Sequence, residues 1–303
     1  FGTSGYRRNE GSCRMKDQST RGFLSALEAD GELHRVQRAI DPRFEIASVL
    51  SLRERGPAQL FENVTGHAMP VVANLFNSRD RFARALGVPR KDLDRFCLAA
   101  LRNPVKPTMV TNAPAQEVVH SDAIEVDTLL PVPHWFEREA APYVTAGVIV
   151  AKDPETGRRN VSIARLRLEG GNRLMAGIAK NHHLAIIAEK ARQRGHDLEI
   201  AVVIGNHAAV LLGSQMYVEL GDDEFDITGG LLGEPVELVK CRTVGLEVPA
   251  HAEIVLEGRL RADDLIEENA VSEFPGIYVY YGPGIGVEID CVTHRADAIY
   301  QAI

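Results

Sequence analysis

Residues 143–178, YVTAGVIVAKDPETGRRNVSIARLRLEGGNRLMAGI, constrain the fold more than any other part of the chain. DPETG is a strong turn, because Asp, Pro and Gly each favour turn geometry for separate reasons. Around it, apolar and polar residues alternate with the two-residue period of a strand. The stretch reads as strand, turn, strand, turn, strand. Within it NVSIARLRL places Asn160, Ser162 and Arg165 among apolar neighbours. On one strand Asn160 and Ser162 share a face and Arg165 takes the other. A bulge or strand end near Ala164 would bring Arg165 round. From this stretch alone, a barrel strand with one face in water is the plainer reading. The alternative is a site: an amide oxygen for a cation, a hydroxyl for a phosphate, a guanidinium for a carboxylate.

The rest of 115–303 continues the pattern. EIAVVIG, AVLLGS, VELVKC, EIVLEGRL and VEIDCVTHR read as strands. HHLAIIAEKARQRG reads as a helix with Leu184, Ile187, Ala188 and Ala191 on one face and Gly195 at its end. The expectation is a barrel or mixed sheet with interposed helices. Before it, STRGFLSALEADGEL reads as a helix capped by Ser19 or Thr20 and ended by Gly31. AQLFENV and PVVANLF read as short strands, and RDRFARALGV and KDLDRFCLAALRN as helices. Pro104, Pro107 and Pro114 suggest a boundary near 105–115.

With 303 residues, 45% of them hydrophobic, the chain can bury a substantial core. A formal net charge of −8 argues against a general nucleic-acid binder. Cys13, Cys97, Cys241 and Cys291 are scattered, with no C-x-x-C pair, which suggests a reducing compartment and a cytoplasmic protein. No apolar run reaches the roughly 20 residues needed to cross a bilayer. Residues 1–14 read as an extension or tag ahead of Met15.

Three further stretches carry chemistry. His182 and His183 head a helix, where a neutral imidazole can ligate a metal. GDDEFDITGG reads most plainly as a solvated turn, although Glu224 or Asp226 could complete a hard-cation site. EENAVSEFPG reads most plainly as a charged loop, although Glu268 and Glu273 beside apolar residues could form an acid–base pair.

Taken in order, NVSIAR, HH at a helix start, SQM at 214–216, Glu224, GEPVELVKCRTVGLEVPAHAEIVLEG and SEFPGIY resemble the UbiD family of decarboxylases, over nearly all of 15–303. The resemblance implies an α/β (α+β) fold: an N-terminal α/β domain at 15–110, then a split β-barrel flavin-binding domain at 111–303. It also implies a C-terminal oligomerisation domain, not present in this chain, that builds a homodimer or higher homo-oligomer. The implied activity is reversible, non-oxidative decarboxylation of an α,β-unsaturated or aromatic carboxylic acid with prenylated FMN, supplied by a flavin prenyltransferase. A Mn²⁺ or Mg²⁺ ion would accompany it, with an adjacent K⁺-type ion consistent with the family. Asn160, His183 and Glu224 fall at the family's metal ligands. Asn160, Ser162, Ile163, Ala164, Arg165, His182, Ser214, Gln215, Met216 and Glu224 fall at cofactor-contacting positions. Arg165, Glu268 and Glu273 fall at the catalytic set, with Glu273 as proton donor. The spacer NAVS departs from the family's Gly and Pro, which leaves Glu267 as an alternative to Glu268. Two other classes remain: an FMN-dependent oxidoreductase on a split barrel, and a non-catalytic cofactor-binding subunit of a decarboxylase.

Overall fold

The computed structural model describes residues 17–273 and 275–303. The expected extension at 1–14, Met15, Cys13 and Phe274 lie outside the described residues.

The first element among the described residues is the helix Arg21–Ala29, which buries Phe23, Leu24 and Leu27. Ser19 Oγ accepts from the Arg21 N–H at 3.0 Å, whereas the Thr20 hydroxyl donates to the Gly205 carbonyl. Strands Leu33–Val36, Ala58–Phe61 and Val71–Ala73 form a small sheet, which Tyr300–Gln301 completes by pairing with Val71 and Val72. The chain's last strand therefore returns to its first sheet. Helices Arg79–Ala85 and Leu93–Arg102 follow, the former capped by Ser78 Oγ.

Among the described residues the main sheet has nine strands. Its order is 143–144, 165–170, 173–177, 283–294, 254–267, 198–204, 148–152, 159–163, with 118–120 paired to 283–294, all antiparallel. Both faces are covered. Ile149, Ala151, Ile200 and Val202 pack into one core with the helix His183–Gln193. Val148, Val150, Ala201 and Val203 pack into another, beneath Leu211 and Phe225. Burial on both sides explains why IAVVIG is an unbroken apolar run.

AVLLGS is not a strand. Residues Ala208–Gly213 form a helix, capped by His207 Nδ1 accepting from the Ala209 N–H. An aliphatic run buried all round carries no periodicity to tell the two apart. GDDEFDITGG is likewise not a solvated turn. Asp223 caps the helix Glu224–Leu232, and Glu224 itself is buried. This helix lies so close to the proline-rich connection that a Cβ on Gly229 would stand 2.2 Å from the Val105 carbonyl oxygen.

Candidate active site

The strand Arg159–Ile163 ends at Ala164, and Arg165 begins a new strand paired with Tyr143–Val144 and Arg173–Gly177. This is the strand end anticipated near Ala164, and it divides the site into two clusters.

The first gathers Asn160, Ser162 and Glu224. Asn160 Nδ2 donates to Glu224 Oε1 at 2.8 Å, and the Val161 N–H donates to Oε2 at 2.7 Å. Burial, with Asp223 close by, pushes the Glu224 carboxyl up to about 7. Asn160 Oδ1 and Ser162 Oγ are buried without a partner among the described residues. Such orphaned polar atoms cost about 1–3 kcal/mol each unless a ligand satisfies them. His183 is half-buried and opens the helix that packs against this strand. Its ring makes no hydrogen bond to Asn160 or Glu224 among the described residues. His182, the exposed N-cap of that helix, uses no side-chain cap bond. An amide oxygen, a carboxylate and an imidazole suit a divalent ion of the Mn²⁺ or Mg²⁺ type.

Ser214, Gln215 and Met216 follow the helix Ala208–Gly213. Ser214 is buried, its hydroxyl donating to the Leu211 carbonyl at 2.9 Å, and Gln215 is exposed. Met216 packs on the apolar cluster around Leu93 and Leu231. Ile163, the last residue of its strand, is half-buried, and Ala164 after it is buried.

The second cluster centres on Arg165. Its Nε and Nη2 donate to Glu268 Oε1 and Oε2 at 2.5 and 2.6 Å, a bidentate pair. Of the two adjacent glutamates, Glu268 is 1% exposed and faces Arg165, whereas the Glu267 side chain lies in solvent. The guanidinium carbon sits 4.6 Å from the centre of the Tyr281 ring. Tyr281 in turn donates its hydroxyl to Glu273 Oε1 at 2.7 Å. Arg165, Glu268 and Glu273 thus meet through Tyr281, a residue the sequence reading did not single out. EENAVSEFPG is not a simple loop: Ala270–Glu273 pairs with Ile277–Tyr280 as a hairpin that presents Glu273.

Space for the second cluster comes from Gly177, directly opposite Arg165. A Cβ there would lie 2.8 Å from both Arg165 Nε and Glu268 Oε1. A cavity of about 950 Å³ opens beside the pair, between the helix Glu45–Ser51, residues 135–145, and Val271, Ser272 and Tyr278. Phe44, Trp135, Tyr143 and Tyr278 give it aromatic walls, and Arg165 and Glu139 supply buried or half-buried charge. Glu139 accepts from the Ser272 and Phe136 N–H groups, and burial holds its carboxyl above the usual range. A largely apolar cleft with a few convergent polar groups is the usual form of a small-molecule site.

The chain matches the family model of the 3-octaprenyl-4-hydroxybenzoate carboxy-lyase Rift-related domain over residues 108–303 and that of the N-terminal domain over 24–101. The chain belongs to the UbiD family. It is 34% identical over 284 residues to an anhydromevalonate phosphate decarboxylase from Methanosarcina mazei, covering 93% of this chain and 64% of that protein. Among solved structures it resembles an evolved dimeric form of the UbiD-class enzyme HmfF from Pelotomaculum thermopropionicum in complex with prFMN. There the TM-score is 0.92 at 42% identity, covering 95% of this chain and 67% of the other. It also resembles Sedimentibacter hydroxybenzoicus vanillic acid decarboxylase, with a TM-score of 0.90 at 29% identity, covering 94% and 63%. This UbiD-family chain spans about two thirds of the length of these relatives. No helix among the described residues is long and apolar enough to cross a membrane.

Proposed function

We propose that this UbiD-family chain carries the catalytic site of a prenylated-FMN-dependent enzyme. The reaction is reversible, non-oxidative decarboxylation of an α,β-unsaturated or aromatic carboxylic acid. The observation that carries the reading is the Arg165–Glu268 pair, linked through Tyr281 to Glu273, with Arg165 on the wall of an aromatic cavity. A flavin reductase on a similar barrel has no use for this arrangement.

The residues present fit the cofactor. Asn160, His183 and Glu224 would hold a divalent ion, Mn²⁺ or Mg²⁺, and with Ser162 would receive the flavin phosphate, satisfying the two orphaned atoms. Once bound, the modified flavin supplies the electron sink that lets CO₂ leave. The chain's own residues do the rest. Arg165 spends its Nε hydrogen and one Nη2 hydrogen on Glu268, so both Nη1 hydrogens and the second Nη2 hydrogen are left for a substrate carboxylate. Glu268 holds the guanidinium in one orientation. The aromatic walls seat the unsaturated part of the substrate and exclude water. Glu273 carries the proton to the carbon that loses CO₂, with the Tyr281 hydroxyl fixing Oε1.

We assign the same protein to the cytoplasm, as a homo-oligomer loaded by a flavin prenyltransferase. What supports this is the free thiols Cys97, Cys241 and Cys291 and the dimeric form of the related enzyme HmfF. The test is full-length protein from cells that make prenylated FMN. Glu268→Gln and Glu273→Gln should keep the flavin and lose roughly the 10²–10⁴-fold that a positioned acid or base contributes. Parental turnover in both variants would remove this pair of carboxylates from the mechanism.

A further inference from the structure

Arg167 is 3% exposed, on the same strand face as Arg165 two residues away. A guanidinium this buried is costly unless its donors are used, and Arg167 uses both terminal nitrogens on one short segment. Nη1 donates to the Glu268 carbonyl, and Nη2 to the Glu267 carbonyl at 3.0 Å. Nε donates to Glu169 Oε1 at 2.6 Å, which holds the fork in place. Neighbouring guanidiniums thus grip Glu268 from two sides, Arg165 by its carboxylate and Arg167 by its backbone.

The segment needs such a grip. The long strand Ile254–Glu267 ends here, and Asn269 takes a left-handed conformation at φ 64° before the hairpin begins at Ala270. Non-glycine residues adopt that conformation at a cost and keep it only where their surroundings impose it. At this turn, a one-residue slip in register exchanges which of the two consecutive glutamates faces inward. Tyr143, 2% exposed, lines the same corner, and burial together with the Glu268 charge pushes its phenol up to about 12. Its burial marks the corner as dry, where charge-assisted hydrogen bonds are strong.

We propose that Arg167 is a positioning residue that selects Glu268, rather than Glu267, as the carboxylate facing Arg165. The proposal rests on the reading that Arg165 and Glu268 are the working pair. It assigns Arg167 no contact with substrate or cofactor.

Two measurements test it together. In cofactor-free full-length protein, Arg167→Met should raise amide hydrogen exchange across residues 266–273 by at least about tenfold, leaving the helix 183–193 unchanged. In the loaded enzyme, Glu268→Gln should cost about 10²-fold or more in the parental background but less than about threefold after Arg167→Met, because a misplaced carboxylate has little left to lose. Arg167→Lys keeps the charge but not the fork. It should fall between parent and Arg167→Met in both readouts, and it stands in if Arg167→Met does not fold. Unchanged exchange at 266–273, or losses that simply multiply, would make Arg167 core filling and overturn the proposal. If Glu268→Gln costs nothing in the parent, the working-pair reading fails, and exchange alone decides whether Arg167 holds the segment.

Discussion

Gly177→Ala is the smallest change that should separate chemistry from stability in this protein. Gly177 is a strand residue without a positive φ, so alanine meets no backbone strain there, and reduced freedom of the unfolded chain contributes about 0.4–1 kcal/mol in its favour. Against this, the new methyl carbon would stand 2.8 Å from Arg165 Nε, 2.8 Å from Glu268 Oε1 and 2.9 Å from Arg165 Cζ. Ordinary contact begins near 3.5 Å, so one partner must retreat by roughly 0.7 Å. The bidentate bonds of 2.5 and 2.6 Å have no slack for that displacement. Losing one of them costs about 1.5–3 kcal/mol for a charged group. Arg165 keeps a 28% exposed side chain, so screening reduces this to about 1–2 kcal/mol. The gain offsets part of the loss, and net stability should fall by no more than about 1.6 kcal/mol, a few degrees of melting temperature. Turnover should fall much further, by about 10- to 10²-fold, because a displacement of this size at a positioned group is expensive. The assay is calorimetric melting beside decarboxylation by the same preparation, with metal content measured to show the first cluster intact. A Gly177→Ala enzyme with parental turnover would refute the account of Arg165 and Glu268 as a pair held to close tolerance.

Glu224→Ala removes both the anchor of Asn160 and a candidate metal ligand, so bound metal and flavin should fall together; elemental analysis and flavin absorbance read this directly. Glu139 should give the apo protein a pH-dependent term. Its folded carboxyl lies above the ordinary range, so the native state binds that proton more tightly than the unfolded chain. The stability from it is present at low pH and is lost as pH rises through the raised value. Glu139→Gln should flatten that slope in urea midpoints measured at several pH values, and an unchanged slope would show that Glu139 is not its source. Burial raises the thiols of Cys241 and Cys291, so both should resist alkylation at neutral pH until the chain unfolds. Peptide mapping after labelling checks this.

Local patterns were legible where local chemistry decides the outcome. The turn at 153–157, the strands around it and the helix 183–193 follow from turn residues and periodicity. The run at 208–213 was not legible, because apolar residues buried on every side look alike in a helix and a strand. At the site, resemblance brought Asn160 and Glu224 together across 64 residues of sequence, which no local rule could do. The choice between Glu267 and Glu268 turned on the register in which the strand ends beside a left-handed Asn269, which alternation alone does not give. Arg167 was within reach: its two-residue spacing from Arg165 placed both on one face, but nothing local said that its partners would be two carbonyls about a hundred residues away. Tyr281, Glu139 and Gly177 matter through tertiary neighbours alone, and the sequence carries no signal for them beyond residue type.

The central claim is decarboxylation through a prenylated flavin with Glu273 delivering the proton. Full-length protein should be produced with and without a flavin prenyltransferase and assayed in D₂O against a panel of unsaturated and aromatic acids. The account predicts CO₂ release only from the protein carrying prenylated FMN. It also predicts one deuterium at the carbon that lost the carboxylate, and a matching fall in that label and in turnover for Glu273→Gln. Equal CO₂ release with unmodified FMN, or full label and turnover in Glu273→Gln, would contradict it.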